Sequence, residues 1–309
     1  MLIKNKLSYI AVSTRDVDAL HNLFFNSLGL SYAPIQTPDG GIINAYGVGE
    51  TAVAVFPNGS SLLSKDKPGV DHIAFSSDYL INSASPLIEH PKPIPGLKNM
   101  DQILIPSKLT EDVNIRFTTD LGLQSQQTDF VERLDHIGIA SKDNVSAEMI
   151  FTNKLGLKME SRQTDMEVRI SVESFTSDKY GVVYNNRPPE PMGGLRVSFI
   201  TAGDTELEFL QNFNARDRSE VQHGTPGNTK QDQGAITNYI EKYGQGLHHI
   251  AFKTYDINQT LKHLKSLGYR LIDTVGRPGS RQSLIGFMHP SSTGGILIHF
   301  VERQEILND

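Results

Sequence analysis

The sequence contains no cysteine among its 309 residues. Disulfide bonds, thiolate metal ligands and cysteine nucleophiles are therefore excluded. It also lacks an uninterrupted apolar run of 18 residues, so we expect no membrane-spanning segment. Lys4, Lys6 and Ser8 interrupt the N-terminal stretch, which leaves no apolar region of signal-peptide length. Together these absences predict a cytoplasmic protein.

An excess of basic residues is absent as well. The chain has 29 Lys and Arg against 35 Asp and Glu, a formal net charge of −6 and a pI near 5.9. This balance argues against a nucleic-acid partner, so we expect the partner to be a small molecule. A hydrophobic content of 38% and a charged content of 21% are typical of a globular protein.

What the sequence does contain is one strand-like phrase that occurs four times. It reads L-S-Y-I-A-V-S at 7–13, G-V-D-H-I-A-F at 69–75, L-D-H-I-G-I-A at 134–140 and G-L-H-H-I-A-F at 246–252. In the first copy a helical pattern follows, beginning near Asp16 and ending at Gly29, and three strand-length segments come after it. Each copy therefore predicts one βαβββ module.

The repeats predict an α+β fold with four βαβββ modules in two tandem paired-module domains. We place the first domain at 1–123 and the second at 134–303. The third module carries an insertion, Ser177–Met192, and a polar loop at Asn214–Gln233 is predicted to be mobile or to act as a lid. In the fourth module we expect strands at 269–274, 283–288 and 295–301. The assembly is predicted to be a monomer or a homodimer.

Paired modules of this kind curl around a cavity, and each can offer one side chain from its first strand and one from its last. In the C-terminal pair these positions hold His136, Glu208, His249 and His299. Strand alternation predicts that the adjacent His248 faces the opposite side. Imidazole and carboxylate donors together suit a divalent zinc, iron, cobalt, nickel or manganese ion.

The same four positions of the N-terminal pair hold Tyr9, Ala54, His72 and Arg116. Alanine cannot bind a metal, and the cation of Arg116 would repel one. One histidine on an apolar strand is usually structural, whereas four potential ligands at equivalent positions in one half favour a metal site. We therefore predict a single metal site in the C-terminal domain and a metal-free N-terminal domain.

The repeated phrases, together with G-D-T-E-L-E-F-L at 203–210 and F-M-H-P-S-S-T-G-G-I-L-I-H-F at 287–300, resemble the vicinal oxygen chelate superfamily. This superfamily has glyoxalase-like domains. The C-terminal half most resembles methylmalonyl-CoA epimerase and glyoxalase I-like proteins. The resemblance assigns the metal ligands to His136, Glu208, His249 and His299.

Position 299 departs from the pattern, because the family usually has glutamate there. In the resembled epimerases that glutamate is linked to proton transfer, and in extradiol and hydroxyphenylpyruvate dioxygenases it completes an iron site. In this chain Glu208 would be the carboxylate of the set. The resemblance implies that Glu208 and His299 are the catalytic residues.

Three functions follow from this reading. The first is metal-dependent isomerisation, epimerisation or lyase chemistry on a small hydroxy- or keto-acid-like substrate, in which the metal stabilises an enolate. The second is an Fe(II) dioxygenase, and the third is a non-catalytic small-molecule-binding protein. As substrate-binding residues we nominate two groups, from the insertion and from the R-P-G-S-R loop: Tyr180, Tyr184 and Arg187, and Arg277 and Arg281.

The metal content of the purified protein distinguishes these functions. We expect one divalent ion per chain, because only one half carries a full ligand set. Elemental analysis measures both the identity and the stoichiometry of the ion. Two ions per chain would contradict the assignment of a metal-free N-terminal domain.

Overall fold

The computed structural model describes residues 6–123, 125–186, 188–213 and 234–303. Its strands form two eight-stranded sheets, one in each half of the chain, and a separate hairpin. The strands of the first half are β1 (Leu7–Thr14), β2 (Tyr32–Gln36), β3 (Ile42–Val48), β4 (Thr51–Pro57), β5 (Gly69–Ser76), β6 (Ile94–Pro95), β7 (Asp101–Ile105) and β8 (Ile115–Thr118). The strands of the second half are β9 (Arg133–Ala140), β10 (Lys158–Arg169), β11 (Val172–Ser177), β12 (Gly181–Asn186), β13 (Glu190–Ala202), β14 (Thr205–Phe213), β15 (Gly246–Lys253), β16 (Arg277–Pro278), β17 (Leu284–Phe287) and β18 (Ile298–Glu302).

The two sheets have the same strand order, which confirms the predicted fold of four βαβββ modules. The first sheet runs β2-β3-β4-β1-β5-β8-β7-β6, and the second runs β10-β13-β14-β9-β15-β18-β17-β16. In each sheet the first strands of two modules pair antiparallel at the centre, as β1 with β5 and β9 with β15. The last strand of every module lies parallel to its first strand.

Within the described ranges, five α-helices connect the strands: α1 (Val17–His21), α2 (Leu80–Ala84), α3 (Asn144–Glu148), α4 (Ala235–Tyr243) and α5 (Ile257–Ser266). As predicted, Asp16 caps α1, because its carboxylate accepts a hydrogen bond from Ala19 N at 2.9 Å. Helices α1 and α3 both continue into a π-helical turn, at Asn22–Ser27 and Met149–Lys154. The helix in the first module then stops at Gly29, whose φ of 73° suits glycine.

One local prediction was wrong, and the structure adds detail at two other places. Residues 269–274 do not form a strand and contribute only one isolated bridge, from Leu271 to Met288. The insertion at 177–192 is the distal part of a hairpin that extends from β10 and β13 through β11 and β12. Helix α4 follows the segment 214–233, which lies outside the described residues, and the sequence pattern did not reveal it.

One hydrophobic core joins the two halves. It combines helices α1, α2, α3 and α5 with the faces of both sheets that they cover, and its members come from all four modules. Phe24 in the first module packs edge-to-face on Phe252 in the fourth, with ring centroids 5.7 Å apart, and both are fully buried. Ser27 and Tyr269 share a hydrogen bond of 3.0 Å across the same junction.

Equivalent loops of the two halves also contact the opposite half. In the β7–β8 loop, Glu111 and Asp112 accept hydrogen bonds from the amide of Gln245 at 3.3 and 3.1 Å. In the β17–β18 loop, the carbonyl oxygen of Gly294 accepts a hydrogen bond from Arg15 N at 3.1 Å. The halves are therefore related by an approximate twofold arrangement of contacts.

A β-bulge interrupts the first strand of every module at the same place. The bulged residues are Ser8, Asp71, Asp135 and His248, each directly before the residue at the repeated site position. A bulge places two neighbouring side chains on one side of the sheet, where regular alternation would separate them. The repeat therefore includes a second side chain at the site in all four modules.

The uncovered faces of the two sheets differ. In the first sheet this face carries a second hydrophobic cluster that includes Tyr9, Ala54, Leu97 and Leu121. Leu121 N donates a 2.9 Å hydrogen bond to Ser8 Oγ, which holds the segment after β8 over the face. The corresponding face of the second sheet encloses a cavity. None of the described helices has the length and apolar character needed to cross a membrane.

Replacement of Phe24 tests the shared core. We expect Phe24→Ala to lower the free energy of unfolding by about 3–5 kcal/mol, because it leaves a cavity between the halves. The matched control is Phe25→Ala in the same helical segment, where the side chain is 40% exposed and the expected loss is about 1 kcal/mol. Urea unfolding followed by circular dichroism measures both. Equal losses would contradict a core shared between the halves.

Candidate metal centre

Four donor side chains converge at the centre of the second sheet. His136 on β9, Glu208 on β14, His249 on β15 and His299 on β18 are each no more than 5% exposed. Ring nitrogens of the three histidines lie within 4.8 Å of one another. Oε2 of Glu208 is 3.2 Å from His136 Nε2 and 3.5 Å from His249 Nε2. The structure thus brings together all four predicted ligands.

The bulged residues hold the rings of two of these histidines. Asp135 Oδ1 lies 2.7 Å from His136 Nδ1, and His248 Nδ1 lies 2.9 Å from His249 Nδ1. Both contacts occupy Nδ1 and leave Nε2 directed at the shared centre. Such outer contacts fix the orientation of metal-binding imidazoles.

His248 therefore does not face away from the site, and the prediction from strand alternation was wrong. The bulge between Leu247 and His249 turns both histidines to the same side of the sheet. His248 lines the cavity and contacts the ring of Tyr239 on α4, with centroids 4.3 Å apart.

The space between the donors depends on a glycine. Gly138 lies opposite His249 on one side and Glu208 on the other. A Cβ atom at Gly138 would lie only 2.0 Å from His249 Cε1, so any other residue would displace the imidazole. The equivalent position in the first sheet is Ala11, which pairs with Ala54 and His72.

His299 is the least satisfied of the donors. Both of its ring nitrogens are buried and have no hydrogen-bond partner in the described part of the chain. Leaving a buried polar group unpaired costs about 1–3 kcal/mol, so a partner supplied from outside the chain would relieve the penalty. Three imidazoles, one carboxylate and the space beside Gly138 fit a divalent metal ion.

The protonation state of each donor depends on the charge of its neighbours. Burial tends to raise the pKa of Glu208, but His136 and His249 outweigh it and hold this pKa well below its usual value. Burial tends to lower the pKa of His136, yet the carboxylates of Glu208 and Asp135 raise it to about 9. Without a metal, Glu208 and His136 are therefore an ion pair.

The other two histidines are biased toward the neutral form. Burial lowers the pKa of His249, and burial together with the adjacent His249 and His136 places the pKa of His299 well below its ordinary value. Neutral imidazole is the form that binds metals. The site therefore offers two uncharged nitrogen donors beside one carboxylate.

The donors lie in a cavity of about 410 Å³, which is within the usual range for small-molecule sites. Its walls are mainly apolar and come from both modules and from α4: Leu195, Phe199, Leu210, Ile236, Ile272, Ile285, Phe287, Leu297 and Val301. The predicted residues Arg277 and Arg281 line it, and so does Arg303, which the sequence reasoning missed. A repeat comparison could not have indicated Arg303, because the equivalent residue in the second module is Asp120.

Among the predicted residues of the insertion, only the side chain of Tyr180 can be placed relative to the cavity. Tyr180 is at the turn between β11 and β12, is 67% exposed and is not among the residues that line the cavity. Tyr184 pairs with Ser174 in the hairpin, and its side chain lies outside what the structure describes. Arg187 is outside the described residues altogether.

The equivalent positions of the first sheet are filled by side chains that bind one another. His72 Nδ1 lies 2.7 Å from Asp71 Oδ1, and its Nε2 lies 3.3 Å from the Tyr9 hydroxyl. Arg116 donates to Gln102 at 3.2 Å and to the carbonyl of Leu62 at 2.7 Å. In contrast to His299, these groups satisfy one another within the chain.

Comparison with known proteins agrees with this geometry. Residues 135–287 match the family described as the Glyoxalase/Bleomycin resistance protein/Dioxygenase superfamily. The C-terminal half of the chain belongs to that superfamily. This assignment confirms the resemblance inferred from the repeated strands.

Curated relatives match about half of this chain. Uncharacterized protein YqjC of Bacillus subtilis is 27% identical over 56% of this chain and 93% of its own length. The ethylmalonyl-CoA/methylmalonyl-CoA epimerase of Cereibacter sphaeroides is 26% identical over 54% of this chain and 96% of its own. The mitochondrial methylmalonyl-CoA epimerase of Dictyostelium discoideum is 26% identical over 41% and 69%, respectively.

A solved structure resembles the whole chain. A mutant 4-hydroxymandelate synthase from Streptomyces coelicolor aligns with a TM-score of 0.63 and 13% identity, and covers 100% of this chain and 95% of its own. At this identity the likeness shows the fold alone. The four-module arrangement therefore occurs in a known protein of similar extent.

Replacement of Gly138 tests the space between the donors. We expect Gly138→Ala to weaken metal binding more than about 10-fold while the protein stays folded, because the new methyl group displaces the His249 ring. Calorimetric titration with Zn²⁺ measures the affinity, and circular dichroism monitors the fold. The matched control is Ala11→Gly at the equivalent position of the first sheet, which should leave zinc binding unchanged. Undiminished zinc affinity in Gly138→Ala would contradict the assigned donor set.

Proposed function

We propose that the protein is a metal-dependent enzyme of the vicinal oxygen chelate type, with one divalent ion held by His136, Glu208, His249 and His299. The observation that carries the proposal is the convergence of these four buried donors, one of which, His299, has no hydrogen-bond partner within the described ranges. The identity of the metal stays open among zinc, iron, cobalt, nickel and manganese. We further propose that residues 134–303 form the catalytic domain, and that 1–123 form a metal-free domain that supports it.

When bound, such an ion supplies Lewis-acid stabilisation of the negative charge that develops on substrate oxygens. The chain itself has three tasks. Asp135 and His248 fix the orientation of the imidazoles of His136 and His249 by contacts at Nδ1. The apolar walls exclude water from the cavity, which strengthens electrostatic interactions inside it.

Proton transfer is the remaining task. Glu208 is the only carboxylate among the four donors, and His299 stands where the resembled epimerases have a glutamate. We therefore assign proton transfer to these two side chains, with the carboxylate of Glu208 as the acceptor. This supports an isomerase, epimerase or lyase reaction through an enolate of a small hydroxy- or keto-acid-like substrate. The epimerases among the relatives favour the isomerase branch.

An Fe(II)-dependent dioxygenase is the second candidate. The observation that favours it is the composition of the cavity, whose apolar walls suit both dioxygen and an aromatic ring. Three histidines and one carboxylate are also chemically suitable ligands for ferrous iron. Oxygen consumption with ferrous iron and a catechol distinguishes this candidate from an isomerase.

Deuterium exchange tests the first candidate. Incubation of the metal-loaded protein in D₂O with methylmalonyl-CoA and with a panel of 2-hydroxy and 2-keto acids should replace the hydrogen beside the carbonyl in at least one compound. NMR detects this exchange without knowledge of the product. We expect His249→Ala to slow the exchange more than about 100-fold, because it removes a metal ligand.

His289→Ala is the matched control, since His289 lies in the same domain, is not among the residues lining the cavity and bonds to Ser291. It should retain the rate of exchange. Oxygen uptake without exchange would replace the isomerase with the dioxygenase. Bound metal with neither activity would favour the non-catalytic binding protein, and full exchange by metal-free His249→Ala would refute metal dependence.

A further inference from the structure

In the described part of the chain three arginines line the cavity, and two of them each contact at least two carboxylates. The guanidinium of Arg281 bonds to Glu206 at 2.5 Å and to Glu160 at 2.8 Å, and it stacks 3.5 Å from the centroid of the Phe199 ring. Arg303 lies 3.0 Å from Asp135 Oδ2 and 3.5 Å from Glu206. Because Asp135 in turn contacts His136, these two arginines help to position the donor cluster.

Arg277 contacts a single carboxylate among the described residues. Its Nε donates to Asp273 Oδ1 at 3.1 Å, which uses one edge of the guanidinium plane. Its Nη1 is buried and has no hydrogen-bond partner among the described residues. The other oxygen of Asp273 accepts a hydrogen bond from Phe287 N at 3.0 Å, so the carboxylate that orients Arg277 is itself held by β17. The chain thus fixes the guanidinium and leaves one donor of this cavity-lining residue without a partner in the described residues.

The ring of Phe287 lies between the guanidinium of Arg277 and the imidazole of His299. Its ring centroid is 4.4 Å from that of His299 on one side and 5.4 Å from the guanidinium carbon of Arg277 on the other. A ligand that reaches both must therefore pass along one phenyl ring. The adjoining walls include Ile285 and Val301, so the part of the ligand that lies between the two ends is apolar.

The first sheet supports this reading. There the two-residue strand β6 corresponds to β16, and Ile94 stands at the position of Arg277. A guanidinium is therefore present at this position in the half of the chain that has the donor cluster, and an isoleucine is present at the equivalent position in the other half. A guanidinium held by one edge is suited to a planar anion such as a carboxylate, because two parallel N–H groups can meet two oxygens.

We infer that the substrate is a compact organic anion with an oxygen pair at one end, an apolar body about as long as one aromatic ring, and a separate carboxylate or similar anion that Arg277 binds at the other end. The inference rests on the proposed function for the oxygen pair. It adds a second recognition point and a size to the substrate class.

Two catechols of the same shape test the inference. 3,4-Dihydroxybenzoate has vicinal oxygens on a ring and a carboxylate at the far side, and 4-methylcatechol replaces that carboxylate with a methyl group. Binding of each to the Zn²⁺-loaded protein is measured by calorimetry, since zinc supports no redox turnover. We expect the natural chain to bind the carboxylate compound at least about 10-fold more tightly, as is typical of a charge-assisted hydrogen bond.

Arg277→Gln should abolish this preference and leave the affinity for 4-methylcatechol unchanged. Arg270→Gln is the matched control, because Arg270 is exposed, bonds to Ser291 and is not among the cavity-lining residues. It should keep the preference. Equal, zinc-dependent binding of both catechols to the natural chain would overturn the role of Arg277 and leave the proposed function standing. Failure of both catechols to bind the zinc-loaded protein would overturn both.

Discussion

The antiparallel pairing of β9 with β15 is the constraint on which the candidate site depends. It places His136 and His249 on the two central strands of one sheet. Each of these strands has a hydrogen-bonded neighbour on both sides, so the separation of the two histidines is fixed. The parallel neighbours β14 and β18 then bring Glu208 and His299 to the same face. Because Gly138 has no side chain, the four donors meet at one point without a spacer between them.

The two sheets have the same strand order, but the faces that carry the four equivalent positions differ. In the first sheet Tyr9, His72 and Arg116 find partners within the protein, and Leu97 and Leu121 fill the face that remains. In the second sheet the corresponding face encloses a cavity, and His299 on this face has no hydrogen-bond partner in the described residues. The difference lies in side-chain volume and hydrogen bonding, since the strand order and the bulges are the same.

Repeat comparison was sufficient to predict the fold and the four donors. A position that recurs in four modules is subject to the same register in each, so Glu208 could be aligned with Ala54 and His299 with Arg116 without any local motif. The orientation of His248 could not be predicted in this way, because a bulge leaves no signature in the apolar and polar alternation of a strand. Helix α4 and Arg303 have no counterpart in the repeat, so their contribution to the cavity became evident only in three dimensions.

The segment at 269–274 shows the converse case. It has the length of a strand and contains adjacent apolar residues, but only Leu271 pairs, with Met288. Ile272 instead lines the cavity, although it is 54% exposed overall. A short apolar segment is equally compatible with a strand and with a cavity wall, and only the tertiary contacts decide between them.

The buried contact between Phe24 and Phe252 holds the N-terminal half against the C-terminal half. Two paired-module units that met only by diffusion would separate on dilution, and the apolar surface of each would be exposed to water. Here a single chain joins them, so the effective concentration of each unit around the other does not depend on how much protein is present. The N-terminal half can therefore be regarded as a permanently attached subunit of the half that holds the donor cluster.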